Sequence, residues 1–169
     1  MSNLNRLREE HADLVAIAGR LSALIAQDAP PQSNVLYKVR REFASALLHH
    51  LKSEDWVLYP RLLVSRDKQV AETARLFSKE MGGLAKAFRD YAEQWGSYAI
   101  EGDWERYQRE TIAILEALTD RITRENRDLY PLFEALEMQA PRSRLPLDAT
   151  PPTAAASPRR GSPACRAAA

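Results

Sequence analysis

The sequence lacks the features that mark secreted and membrane proteins. Cys165 is the single cysteine in 169 residues, which excludes an internal disulfide framework and a cysteine-rich zinc site. The longest uncharged apolar runs, such as residues 14–18, are far too short for a signal-peptide core or a membrane span. We therefore expect a cytoplasmic protein that does not contact a membrane.

A strong charge of one sign is also missing. The 24 Lys and Arg residues nearly cancel the 23 Asp and Glu residues, which leaves a formal net charge of +1. This balance gives no electrostatic case for nucleic-acid binding by the folded domain. A G-x-S-x-G motif, a glycine-rich phosphate loop and a Cys-His pair are absent as well. We expect a protein that is not an enzyme.

The composition changes near residue 140 and divides the chain in two. Residues 140–169 hold six of the ten prolines, and five arginines against one aspartate, with no aromatic residue. Such a Pro/Ala/Arg-rich segment has too little apolar surface to form a core and is predicted to be a disordered tail. Residues 1–139 keep a periodic apolar pattern and are predicted to form one folded domain.

The folded part shows the helical spacing of apolar residues and no sustained strand alternation. Four amphipathic helices are predicted to begin near residues 3, 33, 67 and 104, separated by prolines or by a Gly-Asp turn. The third has the most regular apolar seam, from Val70 to Tyr98, and the seam of the fourth is predicted to end at Leu132. Gly82 and Gly83 lower the stability of the third helix, which predicts either a closely packed neighbour there, the favoured alternative, or a docked partner helix. The pattern predicts an all-α, up-down-up-down four-helix bundle.

Five ionisable residues interrupt the inward-facing stripes of the first, second and fourth helices. They are His11, His50, Glu54, Arg121 and Glu125. A polar group in such an interior is costly unless it is paired or bound to a metal. Glu54 follows His50 by four residues, and Glu125 follows Arg121 by four, so each pair projects from one helix face toward a common region. The spacing predicts a polar cluster in the core of the bundle.

Two segments align without a gap, HLKSEDWVLYP at residues 50–60 and RITRENRDLYP at residues 121–131. Both place a glutamate four residues after the first position and end in Leu-Tyr-Pro. Together with the H-x-x-L start at His11, this doubled motif resembles the hemerythrin-like (HHE cation-binding) family over about residues 5–137. The resemblance implies a hemerythrin-like four-helix bundle around a non-haem di-iron centre.

The resemblance also implies a set of iron ligands, five histidines and two carboxylates. The residues that match this set are His11, His50, Glu54 and Glu125. The chain departs from the family where Arg121 takes the place of the fourth-helix histidine and where the third helix has no histidine. Glu80 lies in the segment where the third-helix ligands are expected, and it is the one further carboxylate that a metal would find there.

The first interpretation of the polar cluster, favoured by these two departures, is that metal binding is lost. Arg121 then forms a salt bridge with both Glu54 and Glu125 in place of the metal, and protonation of His11 or His50 cancels the remaining charge. On this interpretation the protein holds no cofactor and acts as a non-catalytic regulatory module that binds a protein partner.

The second interpretation keeps a metal. The Arg121 side chain turns away from the centre, and His11, His50, Glu54 and Glu125 bind iron in a mononuclear or incomplete di-iron site. The protein is then a sensor or carrier of oxygen or redox state. The sequence leaves self-association into a homodimer open under either interpretation.

Overall fold

The computed structural model describes residues 3–139, which contain no strand. In chain order the elements are α1 (Asn3–Ile25), α2 (Ser33–Val57), α3 (Tyr59–Leu63), α4 (Lys68–Gln94), α5 (Ser97–Gly102), α6 (Trp104–Arg124), a π-helical turn (Glu125–Leu129) and α7 (Tyr130–Gln139). The all-α prediction is confirmed, whereas the up-down-up-down order of the long helices stays a prediction. The predicted tail, residues 140–169, lies outside the described residues.

Local sequence signals set the helix boundaries. The Asp67 carboxylate accepts hydrogen bonds from two backbone N–H groups in the first turn of α4, and Asp103 accepts one in the first turn of α6. Pro30 and Pro31 separate α1 from α2. The long helix α1 packs against α2 and α6, and α4 packs against α6. No helix within residues 3–139 is both long and apolar enough to cross a bilayer.

The third predicted helix ends earlier than its apolar seam indicates. Helix α4 stops at Gln94, and the backbone is not helical at Trp95 and Gly96 before α5 begins. Trp95 is buried as expected, but the Tyr98 side chain is 92% exposed. The prediction that the seam reaches Tyr98 is therefore wrong, because the break after α4 changes the phase of the following helix.

The fourth predicted helix contains a π-helical turn that the apolar spacing does not reveal. The N–H of Tyr130 bonds to the carbonyl of Glu125, five residues earlier. Pro131 has no N–H and its ring crowds the carbonyl four residues before it, which accounts for the wider turn. The extra residue rotates the segment that follows, so Tyr130 and Phe133 are buried while the predicted Leu132 is only half-buried.

The five ionisable residues form a polar layer between two apolar clusters. Along α1 the order is Leu7, His11, Leu14. Along α2 and the residue that caps its end, the order is Leu47, His50, Glu54, Leu58. Along α6 and the π-helical turn, it is Leu118, Arg121, Glu125, Leu129. One apolar cluster contains Leu7, Leu58 and Leu129, and the other contains Leu14, Leu47 and Leu118. All five polar residues are buried, so packed apolar side chains separate the layer from solvent at both ends.

Gly82 and Gly83 do not pack against a close neighbour within the described part of the chain. A Cβ atom added to either residue would meet nothing within 4 Å, and both residues are exposed on α4. The prediction of close packing at these glycines is wrong, because no atom of the described chain lies near them. The alternative, a docked partner helix, stays a prediction.

Gly82→Ala and Gly83→Ala are each expected to raise the free energy of unfolding by about 0.5–1 kcal/mol, because alanine restricts the unfolded chain and meets no clash in the helix. Urea unfolding measures the change. Ala87→Gly, at an exposed position of the same helix, is the matched control and should lower stability by a similar amount. A loss of stability in either alanine variant would contradict the open surface at these positions.

Candidate metal centre

Two buried histidines direct their Nε2 atoms at each other. His11 comes from α1 and His50 from α2, and both are almost fully shielded from solvent. Their Nε2 atoms lie 3.0 Å apart, and their ring centroids are 4.4 Å apart. Imidazole nitrogens that converge in this way either share a proton or bind a common cation.

The outer nitrogen of each ring is anchored by a hydrogen bond. Nδ1 of His50 lies 3.2 Å from the carboxylate of Glu10, and Nδ1 of His11 lies 3.3 Å from the side-chain oxygen of Asn126. Since a carboxylate only accepts, Nδ1 of His50 carries the hydrogen and its Nε2 presents a lone pair. The Ser53 hydroxyl donates to the other oxygen of Glu10 at 3.0 Å. Outer hydrogen bonds of this kind orient the rings of metal-binding histidines.

Two buried carboxylates complete the cluster. Oε2 of Glu125 lies 3.2 Å from Nε2 of His11, without the geometry of a hydrogen bond, and Oε1 of Glu54 lies 3.8 Å from Nε2 of His50. Each of the four residues offers one ligand atom within 4.8 Å of the other three. Within residues 3–139, neither Oε2 of Glu54 nor Oε2 of Glu125 has a hydrogen-bond partner. Orphaned carboxylate oxygens are costly in a dry core, and a cation among these four side chains would satisfy both.

Burial determines the protonation states in the cluster. Burial and the charge of His11 lower the pKa of His50 to about 3, which keeps His50 neutral at neutral pH. Burial and the negative charge of Glu125 raise the pKa of Glu54 well above its ordinary value. Burial acts on Glu125 in the same direction, but the contacts with His11 and Arg121 outweigh it and lower the pKa of Glu125. The raised pKa of Glu54 therefore favours a proton on this carboxylate, and the lowered pKa of His50 opposes the predicted protonation of that residue. The alternative, protonation of His11, stays a prediction.

Tyr130 reaches the same cluster from the first residue of α7. Its hydroxyl donates to Oε1 of Glu54 at 3.0 Å and lies 3.1 Å from Nε2 of His11. The phenol ring stacks on the His11 ring, with centroids 5.0 Å apart and planes 3° from parallel. Burial and the two carboxylates raise the pKa of Tyr130. The π-helical turn places this side chain on the same face as Glu125.

Arg121 is buried and extends its guanidinium toward α4. Its Nε donates to Oε1 of Glu125 at 2.5 Å, and its Nη2 donates to the hydroxyl of Tyr59 at 2.8 Å. Nη2 also donates to the backbone carbonyl of Phe77 at 2.9 Å, and the guanidinium carbon lies 4.4 Å from the centre of the Phe77 ring. Nη1 lies 3.2 Å from the carboxylate of Glu80. All three nitrogens of the guanidinium are therefore engaged.

The predicted salt bridge of Arg121 with both glutamates is found at Glu125 only. None of the hydrogen bonds that Arg121 makes within residues 3–139 goes to Glu54. The reason is that Tyr59 and the backbone of α4 hold the guanidinium on the far side of Glu125. Glu125 consequently joins two environments, because its Oε1 accepts from Arg121 while its Oε2 lies beside His11.

Neither the predicted candidate Glu80 nor His49, the histidine next to His50, joins the ligand atoms. The carboxylate of Glu80 lies 3.2 Å from Arg121 and 2.8 Å from Arg124, so it is paired with arginines instead of facing the histidines. The His49 side chain is 70% exposed and lies 3.4 Å from Glu10. The structure therefore brings together His11, His50, Glu54 and Glu125, and it adds Tyr130.

Sequence reasoning missed four residues that shape the site. They are Tyr130, Tyr59, Glu10 and Asn126. The sequence contains a signal for the two tyrosines, because each follows the glutamate of its repeat by five residues and precedes a proline. Glu10 and Asn126 had no signal of their own, because polar residues beside an inward-facing stripe are common on any amphipathic helix.

The fold and the site together define a class of protein, an all-helical domain whose core holds two histidines and two glutamates in the arrangement of a cation site. A family model described as "Hemerythrin HHE cation binding domain" matches residues 2–133. The chain therefore belongs to the hemerythrin HHE cation-binding family. No curated protein and no solved structure matches the chain at a significant level.

Proposed function

We propose that this protein binds one metal ion through His11, His50, Glu54 and Glu125 and serves as a non-catalytic sensor or carrier of oxygen or redox state. The observation that carries the proposal is the pair of orphaned carboxylate oxygens beside two converging imidazole nitrogens. Two histidines with two carboxylates suit iron, manganese or zinc. Iron and manganese supply reversible redox chemistry, whereas zinc does not, and the oriented histidines and the dry layer around them would hold such an ion. We expect iron, the metal that the family resemblance implies.

The position of Arg121 supports one ion per chain instead of two. The two sequence repeats give the site two related halves, with Tyr130 beside the histidines in one half and Tyr59 beside Arg121 in the other. The guanidinium occupies the second half and carries a permanent positive charge. A fixed positive charge next to Glu125 opposes the binding of a second cation there.

A metal-free regulatory module is the second candidate, and the buried ion pair between Arg121 and Glu125 favours it. With Glu54 protonated, as its raised pKa allows, the cluster is neutral without a metal. The rigid bundle would then present a helical surface to a protein partner in the cytoplasm.

Metal content tests the choice between these functions. Wild-type protein from iron-supplemented culture is expected to hold close to one metal ion per chain by elemental analysis. His50→Ala removes a ligand and is expected to retain less than about a tenth of that metal, since even the loss of an outer hydrogen bond commonly costs 10–100-fold in affinity. His49→Ala is the matched control, because it removes the neighbouring exposed imidazole and should leave the metal in place.

Other results would contradict the single-ion proposal in distinct ways. Two ions per chain would show that Arg121 does not block the second half of the site. Equal metal in the His49→Ala and His50→Ala proteins would place the bound ion elsewhere. A wild-type protein without metal would favour the regulatory module.

A further inference from the structure

We propose that Tyr130 is a fifth metal ligand and that it binds the ion as a phenolate. The inference rests on the proposed metal function and adds an oxygen donor to the two histidines and two glutamates. Tyr130 is completely buried, so its hydroxyl has to find its partners inside the core.

The partners it finds are both atoms of the proposed ligand set. The Tyr130 oxygen is 3.0 Å from Oε1 of Glu54 and 3.1 Å from Nε2 of His11. A hydroxyl this close to two ligand atoms borders the space on which those atoms converge. The stacked His11 ring and the π-helical turn hold the phenol there, so it cannot swing away without repacking the core.

The charges of the cluster favour an anionic fifth ligand. Glu54 and Glu125 contribute two negative charges once both bind a metal, and Arg121 contributes one positive charge. A divalent ion then leaves one excess positive charge, and a trivalent ion leaves two. A phenolate removes one of them, in a layer where uncompensated charge is costly.

The binding of Tyr130 to the metal ion requires a proton to leave but no redox step. The O–H bond of Tyr130 breaks, the oxygen–metal bond forms and the proton leaves to solvent. The oxidation state of the metal does not change.

Tyr59 provides the internal comparison. It follows Glu54 by five residues, as Tyr130 follows Glu125, and it is also buried. Its hydroxyl accepts a hydrogen bond from Arg121 at 2.8 Å. Tyr59 thus lies in the half of the site that the guanidinium occupies, and we assign it no bond to the metal.

Ferric iron is the probe for this assignment, because a phenolate bound to ferric iron absorbs visible light by charge transfer. Wild type, Tyr130→Phe and Tyr59→Phe are loaded from a weak ferric chelate, and their visible spectra are compared at equal bound iron, determined by elemental analysis. We expect the visible band in wild type and Tyr59→Phe and its loss in Tyr130→Phe. Wild type loaded with zinc, which has no redox chemistry, should be colourless.

A Tyr130→Phe protein that keeps the band would overturn the ligand role of Tyr130, and so would a wild type that holds ferric iron without the band. Loss of the band in both variants would contradict its assignment to Tyr130 alone. If Tyr130→Phe does not fold, resonance Raman spectra of the wild type decide, since a bound phenolate shows enhanced ring modes and their absence overturns the proposal. A wild type that takes up neither iron nor zinc overturns the metal function itself, so metal content tells the two failures apart.

Discussion

Arg121→Met is expected to lower the free energy of unfolding of the metal-free protein by about 3–5 kcal/mol, the cost of leaving a buried charge without its partner. Arg121 is 4% exposed and Glu125 is fully buried, so neither water nor salt screens the pair effectively. The substitution also removes the donors to Tyr59 and to the carbonyl of Phe77. Methionine retains an unbranched apolar stem, which limits the cavity left behind. Urea unfolding after metal removal by a chelator measures the loss.

Arg124→Met is the matched control for this prediction. Arg124 pairs with Glu80 at 2.8 Å and lies over the ring of Phe77, but its side chain is 35% exposed. A partly exposed ion pair contributes about 1 kcal/mol or less, so the control should change stability by no more than that. Equal losses in the two variants, or a loss below about 1 kcal/mol in Arg121→Met, would contradict a buried ion pair at Arg121.

Bound metal should reduce the cost of Arg121→Met. A cation among His11, Glu54 and Glu125 gives the Glu125 carboxylate a second positive partner, so this carboxylate is no longer left unpaired. The difference between the unfolding free energies of wild type and variant is therefore expected to shrink when zinc is present in excess. An unchanged difference would place the metal away from Glu125.

The four ligand candidates could be predicted from the sequence because His11, His50 and Glu54 lie on regular helices and Glu125 directly follows one. His50 and Glu54 are one turn apart on α2, and Leu47 and Leu58 flank them on the same stripe. Helical spacing alone turns such residues to one face. The repeat then pointed to Glu125 on another helix, and the structure places its carboxylate within reach of the others.

The position of Tyr130 could not be predicted from the same spacing. In a continuous α-helix a residue five positions after Glu125 lies on a different face, because five residues exceed one turn of 3.6 residues. The π-helical turn ahead of Pro131 brings Tyr130 back to the face of Glu125. The sequence contained the proline, but apolar periodicity does not distinguish a helix that ends before a proline from one that widens.

The direction of the Arg121 side chain depends on tertiary structure as well. A long side chain on an inward-facing stripe reaches partners on several neighbouring helices. Its observed partners are the Tyr59 hydroxyl and the Phe77 carbonyl, which are 62 and 44 residues away in the sequence. No local pattern indicates that these two groups meet beside Arg121, and so the expected contact with Glu54 was wrong.

Glu54→Gln is expected to change stability and metal binding in opposite directions. Glutamine keeps the acceptor for Tyr130 but has no charge. The pKa of Glu54 is raised above its ordinary 4.5 in the folded protein, so the folded state binds this proton more tightly than the unfolded state. The lowered pKa of His50 has the opposite effect, because it adds stability as the pH rises from about 3 to 6.5. The two contributions oppose each other between about pH 4.5 and 6.5, so stability is expected to fall through Glu54 as the pH rises above about 6.5. Glu54→Gln should weaken this fall and raise the free energy of unfolding at neutral pH by about 1–2 kcal/mol.

Metal affinity should fall in the same variant by on the order of 100-fold or more, since the loss of an outer partner alone costs 10–100-fold. Competition with a chelator measures the affinity, and Asp55→Asn, the same chemical change at the exposed neighbouring residue, should alter neither property much. A carboxylate that destabilises the empty protein and holds the metal in the loaded one is typical of a binding site that trades stability for function. If Glu54→Gln instead destabilises the metal-free protein and leaves metal uptake unchanged, Glu54 serves the fold and the metal-free module is the better account.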